Sequence, residues 1–167
     1  GGLYWYTRLH GFEIDDFKSI RKTYGNSYAP PPNKAHLKLQ ILSKLCQKTG
    51  TRLRNAGLVA NGVHLGISFR EGGYWHKGVK TQRAIFESGD IYKEILKLLK
   101  GCPIKKPPRV IAINVFNLKT NKTLQLDIFS NEVKKVSLSR AMDSINKRYG
   151  DFTLYLAGMT NDTTIVQ

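Results

Sequence analysis

From Val63 to Phe69 the chain alternates: Val63, Leu65, Ile67 and Phe69 are apolar, and His64, Gly66, Ser68 and then Arg70 fall between and after them. A period of two predicts a strand with one buried face. Glu71-Gly72-Gly73 supplies a turn, so residues 74–83 (YWHKGVKTQR) are expected to return as the second strand of a hairpin. Upstream the period changes. Leu39, Leu42, Cys46, Thr49 and Leu53 recur at steps of three and four, which predicts a helix over residues 33–56. Asn33 caps it behind Pro30-Pro31-Pro32, Gly57 stops it, and Lys44, Lys48 and Arg52 fall on a different face. Gly50 inside it costs about 1 kcal/mol relative to alanine. Residues 22–29 (KTYGNSYA) suit a strand ended by the prolines. A second helix is expected with Ser88 as its cap, Ile91, Ile95 and Leu98 along one side, and Gly101-Cys102-Pro103 at its end. Residues 109–118 (RVIAINVFNL) form the last strand, with Ile111, Ile113 and Val115 facing a core.

The order strand, helix, strand, strand, helix, strand predicts an α+β fold, a four-stranded sheet with both helices on one face. The other face is then open. It should display His64, Ser68, Arg70, His76, Lys80 and Asn114, all polar or basic. Outside this unit, Leu3, Tyr6 and Leu9 make a short helical stripe ending at Gly11, which reads as the last helix of a preceding domain. Residues 122–130 (KTLQLDIFS) look extended and apolar. A final helix over 131–149 should bury Leu138, Met142, Ile145 and Tyr149, and the last dozen residues are polar.

Charge changes the picture. Lys and Arg number 27 against 12 Asp and Glu, a net of +15, and from Phe17 through Arg70 there are ten Lys or Arg and no acid. Such a field draws polyanions by counterion release, nucleic acid first and an anionic membrane surface second. The plainer alternative is a basic surface that only keeps the chain soluble. No apolar run reaches the roughly 18–20 residues of a membrane span, so no membrane partner is expected. Two cysteines, Cys46 and Cys102, cannot build a disulfide scaffold and suit a reducing cytosol. The chain opens on Gly1 and reads as a piece of something longer.

Catalytic constellations are not found. Asp15 and Asp16 have no third acid to help hold a metal, and Asp90 and Glu94 read as capping and solvent charges. No glycine loop with a following Lys-Ser/Thr cradles a phosphate. His10, His36, His64 and His76 have no metal-like spacing with the cysteines. Catalytic and metal-ligating residues are therefore both expected to be none.

Two features suit binding. The first is strand 74–83 facing strand 22–29. Lys77, Lys80 and Arg83 accompany Thr81 and Gln82, while Lys22 accompanies Asn26 and Ser27. Gly25, Gly66 and Gly78 leave main-chain N–H groups bare to phosphates. The alternative is a solvated edge with glycines placed for bulges. The second is Gln125-Leu126-Asp127-Ile128-Phe129, a peptide whose apolar side chains can fill a groove while the Gln amide bonds at its rim. The alternative there is that Leu126 and Phe129 pin the tail to this domain.

Taken in order, KTYGNSYAPPP, the long basic helix, GVHLGISF, WHKGVKTQ and RVIAINVFNL resemble the little-finger domain of Y-family translesion DNA polymerases, of the bacterial SOS-mutagenesis (impB/mucB/samB) type. RLHGFEIDDF resembles the end of that family's thumb, AMDSINKRYG its C-terminal helix, and QLDIF the bacterial sliding-clamp motif. RKTYGNSY stands where the family more commonly opens with Lys-Ser-Ile/Phe-Gly. The resemblance implies a thumb end and linker over 1–20, a little finger over 21–120, a clamp-binding segment over 121–130, and a C-terminal helix and tail over 131–167. It implies a parent DNA-directed DNA polymerase whose magnesium-binding carboxylates belong to palm and fingers domains. This piece would then bind without polymerising and carry no cofactor. Primer–template DNA would meet Lys22, Asn26, Ser27, Lys77, Lys80, Thr81 and Arg83, and the clamp would meet Gln125, Leu126, Asp127, Ile128 and Phe129. The implied location is the bacterial cytoplasm, at the nucleoid. The competing reading is a freestanding RRM-like module for single-stranded RNA, which shares this strand–helix order. Such a module stacks bases on aromatics of its third strand, where this chain has Val79 and Thr81.

Overall fold

A computed structural model describes residues 2–11, 22–32, 39–103, 106–120 and 132–155. The alternating segment forms β2 (Leu58–Phe69) and returns as β3 (Tyr74–Ile85), with Ile67 opposite Trp75 and Val63 opposite Val79. Gly72 and Gly73 turn the hairpin at φ +86° and +94°, a pair of left-handed residues that side chains resist. β1 (Thr23–Tyr28), α2 (Leu39–Asn55), α3 (Ser88–Lys100) and β4 (Pro108–Thr120) complete the unit, flanked by α1 (Gly2–Leu9) and α4 (Glu132–Tyr149). Gly57, at φ +64°, ends α2 as its position suggests. The start expected for α2 at Asn33 lies outside the described residues.

The sheet runs β1-β4-β2-β3, every neighbour antiparallel. The segment 74–83 therefore does not face 22–29. β3 and β1 are the two opposite edges, with β2 and β4 between them. The hairpin ties β3 to β2, and β4, whose Ile111, Ile113 and Val115 are wholly buried, takes a central place between β2 and β1. The polar β1 is left on an edge, where one side of its backbone can face water.

α2 and α3 cover one face. Leu42, Cys46, Thr49 and Leu53 from α2 and Ile91, Ile95 and Leu98 from α3 pack against Val63, Leu65, Ile67, Ile111, Ile113 and Val115. Burial pushes the Cys46 thiol up, as for a core residue with no redox role. Gly50 has its reason here. A Cβ on it would lie 2.4 Å from Ser88 Oγ and 3.2 Å from Ser88 Cα, so the glycine lets the start of α3 close on α2.

Two expectations about the helices are corrected. The N-cap of α3 is Glu87, without a side-chain cap bond, and Ser88 is the first helical residue. Ser88 instead accepts from Arg54 Nη1 at 3.3 Å, and Glu87 Oε2 accepts from Ser139 of α4. In α4 the apolar stripe is only partly covered, Met142 and Ile145 half-buried and its two ends exposed. Leu138 and Tyr149 are 55% and 65% exposed, whereas Ser139 and Asn146 are 7% and 9% exposed. The reason is the surface α4 meets, which is polar. Asp143 accepts from Arg54 Nε at 2.6 Å, Arg54 Nη2 at 2.7 Å and Thr51 Oγ1 at 3.0 Å. Asn146 Nδ2 and Gln47 Nε2 both donate to the Leu154 carbonyl, at 3.0 and 2.8 Å. The short α1 forms as expected, with Gly11 at φ +81° beyond its end and Leu3, Trp5, Tyr6 and Leu9 exposed.

Candidate nucleic-acid interface

Residues directly opposite each other in an antiparallel pair share a face. The registers therefore sort the sheet into two sides. The helix side holds Tyr24, Asn26 and Tyr28 of β1 opposite Val115, Ile113 and Ile111, and Trp75, Lys77 and Val79 of β3 opposite Ile67, Leu65 and Val63. The open side holds Gly25 and Ser27, Ala112, Asn114 and Phe116, Gly62, His64, Gly66 and Ser68, and Tyr74, His76, Gly78 and Lys80. His64, Ser68, His76, Lys80 and Asn114 are thus where the alternation places them. Arg70 is not: it stands beyond the end of β2 and its guanidinium donates to the Pro30 carbonyl, tying the hairpin end to the end of β1.

The glycines of the open side lie under the larger side chains of neighbouring strands. A Cβ on Gly62 would meet the Phe116 ring at 2.4 Å, one on Gly66 the Tyr74 hydroxyl at 2.8 Å, and one on Gly25 the Asn114 amide oxygen at 1.8 Å. Each of these glycines vacates the place its neighbour fills, so Gly25 and Gly66 are covered by side chains and do not leave main-chain N–H groups bare to phosphates as expected; Gly78, exposed on edge strand β3, is the one that stays open. His64 and His76 meet there, Nε2 to Nδ1 at 3.3 Å, and Tyr74 stacks on His76 with ring centroids 5.2 Å apart. Burial and the neighbouring His76 charge hold His64 below the ordinary imidazole range. None of the residues of the four strands is Asp or Glu.

The expected contact residues divide. Ser27 and Lys80 are on the open side, and Lys22 is exposed just before β1. Thr81 and Arg83 belong to an irregular stretch of β3, where the partner of Gly62 is Lys80 but the partner of Ala60 is Ile85. Both line a groove of about 900 Å³ against α3, but the Thr81 hydroxyl is buried and turned from solvent, so of the two only Arg83 keeps the expected contact role. Asn26 and Lys77 turn the other way. Asn26 Nδ2 donates to Thr49 Oγ1 of α2 at 3.2 Å, and Lys77 Nζ lies 3.7 Å from where a Cβ on Gly101 would sit, at the carbonyl end of α3 that favours a cation. Gln125, Leu126, Asp127, Ile128 and Phe129 lie outside the described residues. One cation escaped the sequence reading: Arg52 Nη1 donates to the Gly25 carbonyl at 3.0 Å, placing a guanidinium at edge strand β1. Its signal was its place in the last turn of α2, from which a long side chain reaches β1.

Among the described residues no group of three or more His, Cys, Asp or Glu is disposed to hold a metal, and no helix is long and apolar enough to cross a membrane. The third-strand position the RNA-stacking alternative needs is turned away from the open side. Val79 lies opposite Val63 on the helix side, so even an aromatic there would not reach a base on the open side.

Residues 19–128 match the model of the impB/mucB/samB family C-terminal domain. The chain belongs to this family. The matched span holds β1 to β4 with α2 and α3, and leaves α1 and α4 outside it. The chain is 28% identical over 145 residues to DNA polymerase IV 2 of Bacillus subtilis, across 82% of this chain and 35% of that protein. It is 25% identical over 114 residues to DNA polymerase IV of Clostridium acetobutylicum, across 67% of this chain and 29% of that one. It thus spans about a third of the length of the curated relatives it matches. A solved Y-family DNA polymerase chimera overlays on 71% of this chain and 35% of its own at TM-score 0.49, with 17% identity. For an impB/mucB/samB C-terminal domain, the open sheet is the surface that its two packed helices leave uncovered.

Proposed function

We propose that this chain is the DNA-gripping and clamp-tethering part of an error-prone Y-family DNA polymerase that works in translesion synthesis and DNA damage repair. The observation that carries the reading is the sheet of this impB/mucB/samB domain: no acid in any strand, one face open, and cations at both edges. Four strands about 4.8 Å apart set the edge strands roughly 14 Å from each other. The major groove of duplex DNA is about 12 Å wide. A sheet of this breadth can lie along the groove with β1 near one phosphate backbone and β3 near the other. Lys22, Ser27 and Arg52 serve the first, and Lys80 and Arg83 the second. Asn26 holds β1 to α2 and so acts on that edge's position, and Lys77 lies on the helix side near the end of α3. Contacts of this kind give affinity without reading sequence, which suits an enzyme that must hold any template.

Gln125, Leu126, Asp127, Ile128 and Phe129 are assigned to a bacterial sliding clamp, as an extended peptide with Leu126 and Phe129 in apolar pockets. Tethering raises the local concentration of the polymerase at its primer end without tight DNA binding of its own. Nucleotidyl transfer, with the magnesium it implies, is assigned in this reading to parts of the protein outside this chain, in the bacterial cytoplasm at the nucleoid.

The test is a titration of duplex primer–template over a range of salt. Lys80→Ala with Arg83→Ala should flatten the logarithmic salt slope by about two units, roughly 0.9 for each phosphate that is no longer neutralised. An unchanged slope refutes the β3 assignment. Leu126→Ala with Phe129→Ala should abolish binding to purified clamp and leave DNA binding intact, and loss of both activities refutes the tether.

A further inference from the structure

The DNA reading leaves a feature of the open face unused. His64 and His76 stand on adjacent strands, His64 opposite Gly78 and His76 opposite Gly66, so the two rings meet diagonally across the β2–β3 pair. Their nitrogens are in hydrogen-bonding contact, Nε2 of His64 to Nδ1 of His76 at 3.3 Å, with ring centroids 5.4 Å apart. Two neutral imidazoles joined in this way have one N–H between them. Whichever ring donates it, the two remaining nitrogens present one N–H and one lone pair outward. One further proton changes that. The outward lone pair becomes an N–H, the inner bond becomes charge-assisted, and the pair shows two donors and one positive charge. A second proton would have to occupy the shared nitrogen and break the bond, so the pair has room for one.

What faces the pair settles which anion could hold that proton. On β3, Tyr74 stacks on His76 and Lys80 follows two positions beyond Gly78 on the same side. On β4, Asn114 lies opposite His64, flanked on that side by Ala112 and Phe116, none of them titratable. β2 itself adds Gly62, Gly66 and Ser68. No carboxylate faces the rings from any strand, and burial together with the adjacent imidazole disfavours a charge on His64. The counter-anion has to come from outside the sheet.

We infer that the His64–His76 pair is a phosphate site in the open face, which binds a phosphodiester of nucleic acid with uptake of one shared proton. This rests on the DNA reading above and adds to it a contact set inward of the β3 edge. The phosphate supplies the negative charge that the sheet lacks, and its field favours the singly protonated pair. Binding and protonation are then linked, so each promotes the other. The grip tightens as pH falls through the imidazole range near about 6.5, with a slope that approaches tenfold in Kd per pH unit for one proton.

The experiment is calorimetric titration of the full chain with a mixed-sequence DNA duplex at pH 7, in buffers of different ionisation heat. The dependence of the observed heat on the buffer counts the protons taken up. The expected result is uptake of up to one proton by the native chain. His64→Asn together with His76→Gln should abolish it, and either change alone should leave only the smaller uptake of a single imidazole, while DNA binding persists through the edge cations. Binding without uptake by the native chain overturns the proposal and leaves the DNA reading standing, as does uptake that survives undiminished in the double variant. Failure of the native chain to bind duplex DNA at all overturns the DNA reading and this site with it.

Discussion

Gly25 offers the sharpest test of how β1 is seated. A Cβ there would sit 1.8 Å from the Asn114 amide oxygen and 2.6 Å from the carbonyl oxygen of Ile113. The amide is the end of a side chain and can swing aside. The carbonyl belongs to the central strand β4 and cannot, and 2.6 Å is far inside the 3.4 Å at which ordinary contact begins. Gly25→Ala must therefore push β1 away from β4 or shear its register. Forced overpacking of this kind costs about 1–3 kcal/mol, and the backbone clash puts this variant in the upper half of that range. Gly78→Ala is the control. Its nearest atom is His64 Cδ2 at 3.3 Å, and neither glycine has a positive φ. Its neighbour is a side-chain ring that needs to give by only about a tenth of an ångström, so Gly78→Ala should change stability by less than about 0.5 kcal/mol in either direction. Equilibrium unfolding in urea measures both, with the slope checked for constancy. The displaced β1 carries Lys22 and Ser27, so duplex affinity should fall in Gly25→Ala alone. A Gly25→Ala midpoint equal to that of Gly78→Ala would show that β1 is not clamped on β4 in this register, and the division of β1 into two faces would fail with it.

Asp143 collects three hydrogen bonds from Arg54 and Thr51, and its ion pair with Arg54 is mostly buried. Asp143→Ala should release α4 at a cost of about 2–4 kcal/mol, seen as lost amide protection confined to residues 132–155. Protection that persists there would mean that Val136 and the Asn146–Leu154–Gln47 bonds suffice. The pH dependence of the same interface is also fixed in sign. Burial is the main reason the Glu87 carboxyl titrates above its ordinary 4.5, so the folded state favours the protonated form. Its contribution to stability is complete below about pH 4.5 and is lost as pH rises through the raised folded value. The stability of Glu87→Gln relative to the native chain should therefore increase from pH 4 to pH 7, and a difference that is flat with pH would contradict a raised carboxyl.

Much of this molecule is legible along the chain. Period two over 63–69 and 109–118 and period three-to-four over 39–53 are local facts, because a strand and a helix each impose their own spacing on the residues that must leave water. So is the turn, since Gly72-Gly73 alone tolerates two left-handed residues in succession. The absence of acids from the strands is equally a property of the sequence. Even part of the division of contact residues was present, because Asn26 and Ser27 are adjacent in a strand and cannot point the same way.

Other features have no local signal. Which strand lies beside which depends on pairings between residues far apart in sequence, so nothing near residues 22–29 or 74–83 shows that β4 and β2 come between them. The direction of Lys77 follows from its register opposite Leu65, and only a partner strand sets a register. α4 misled its own apolar period, because the surface it docks on is built by Arg54, Thr51, Gln47 and Glu87 from elsewhere in the chain and is polar. The His64–His76 contact is of the same kind: neither residue is notable alone, and the site exists because a hairpin register sets two rings diagonally across from each other. The sequence by itself determined the elements, their buried sides and the positive charge, since those answer to spacing and composition. The tertiary structure decided which of the charged and polar residues share a face, since that depends on distances between segments the chain brings together only when it folds.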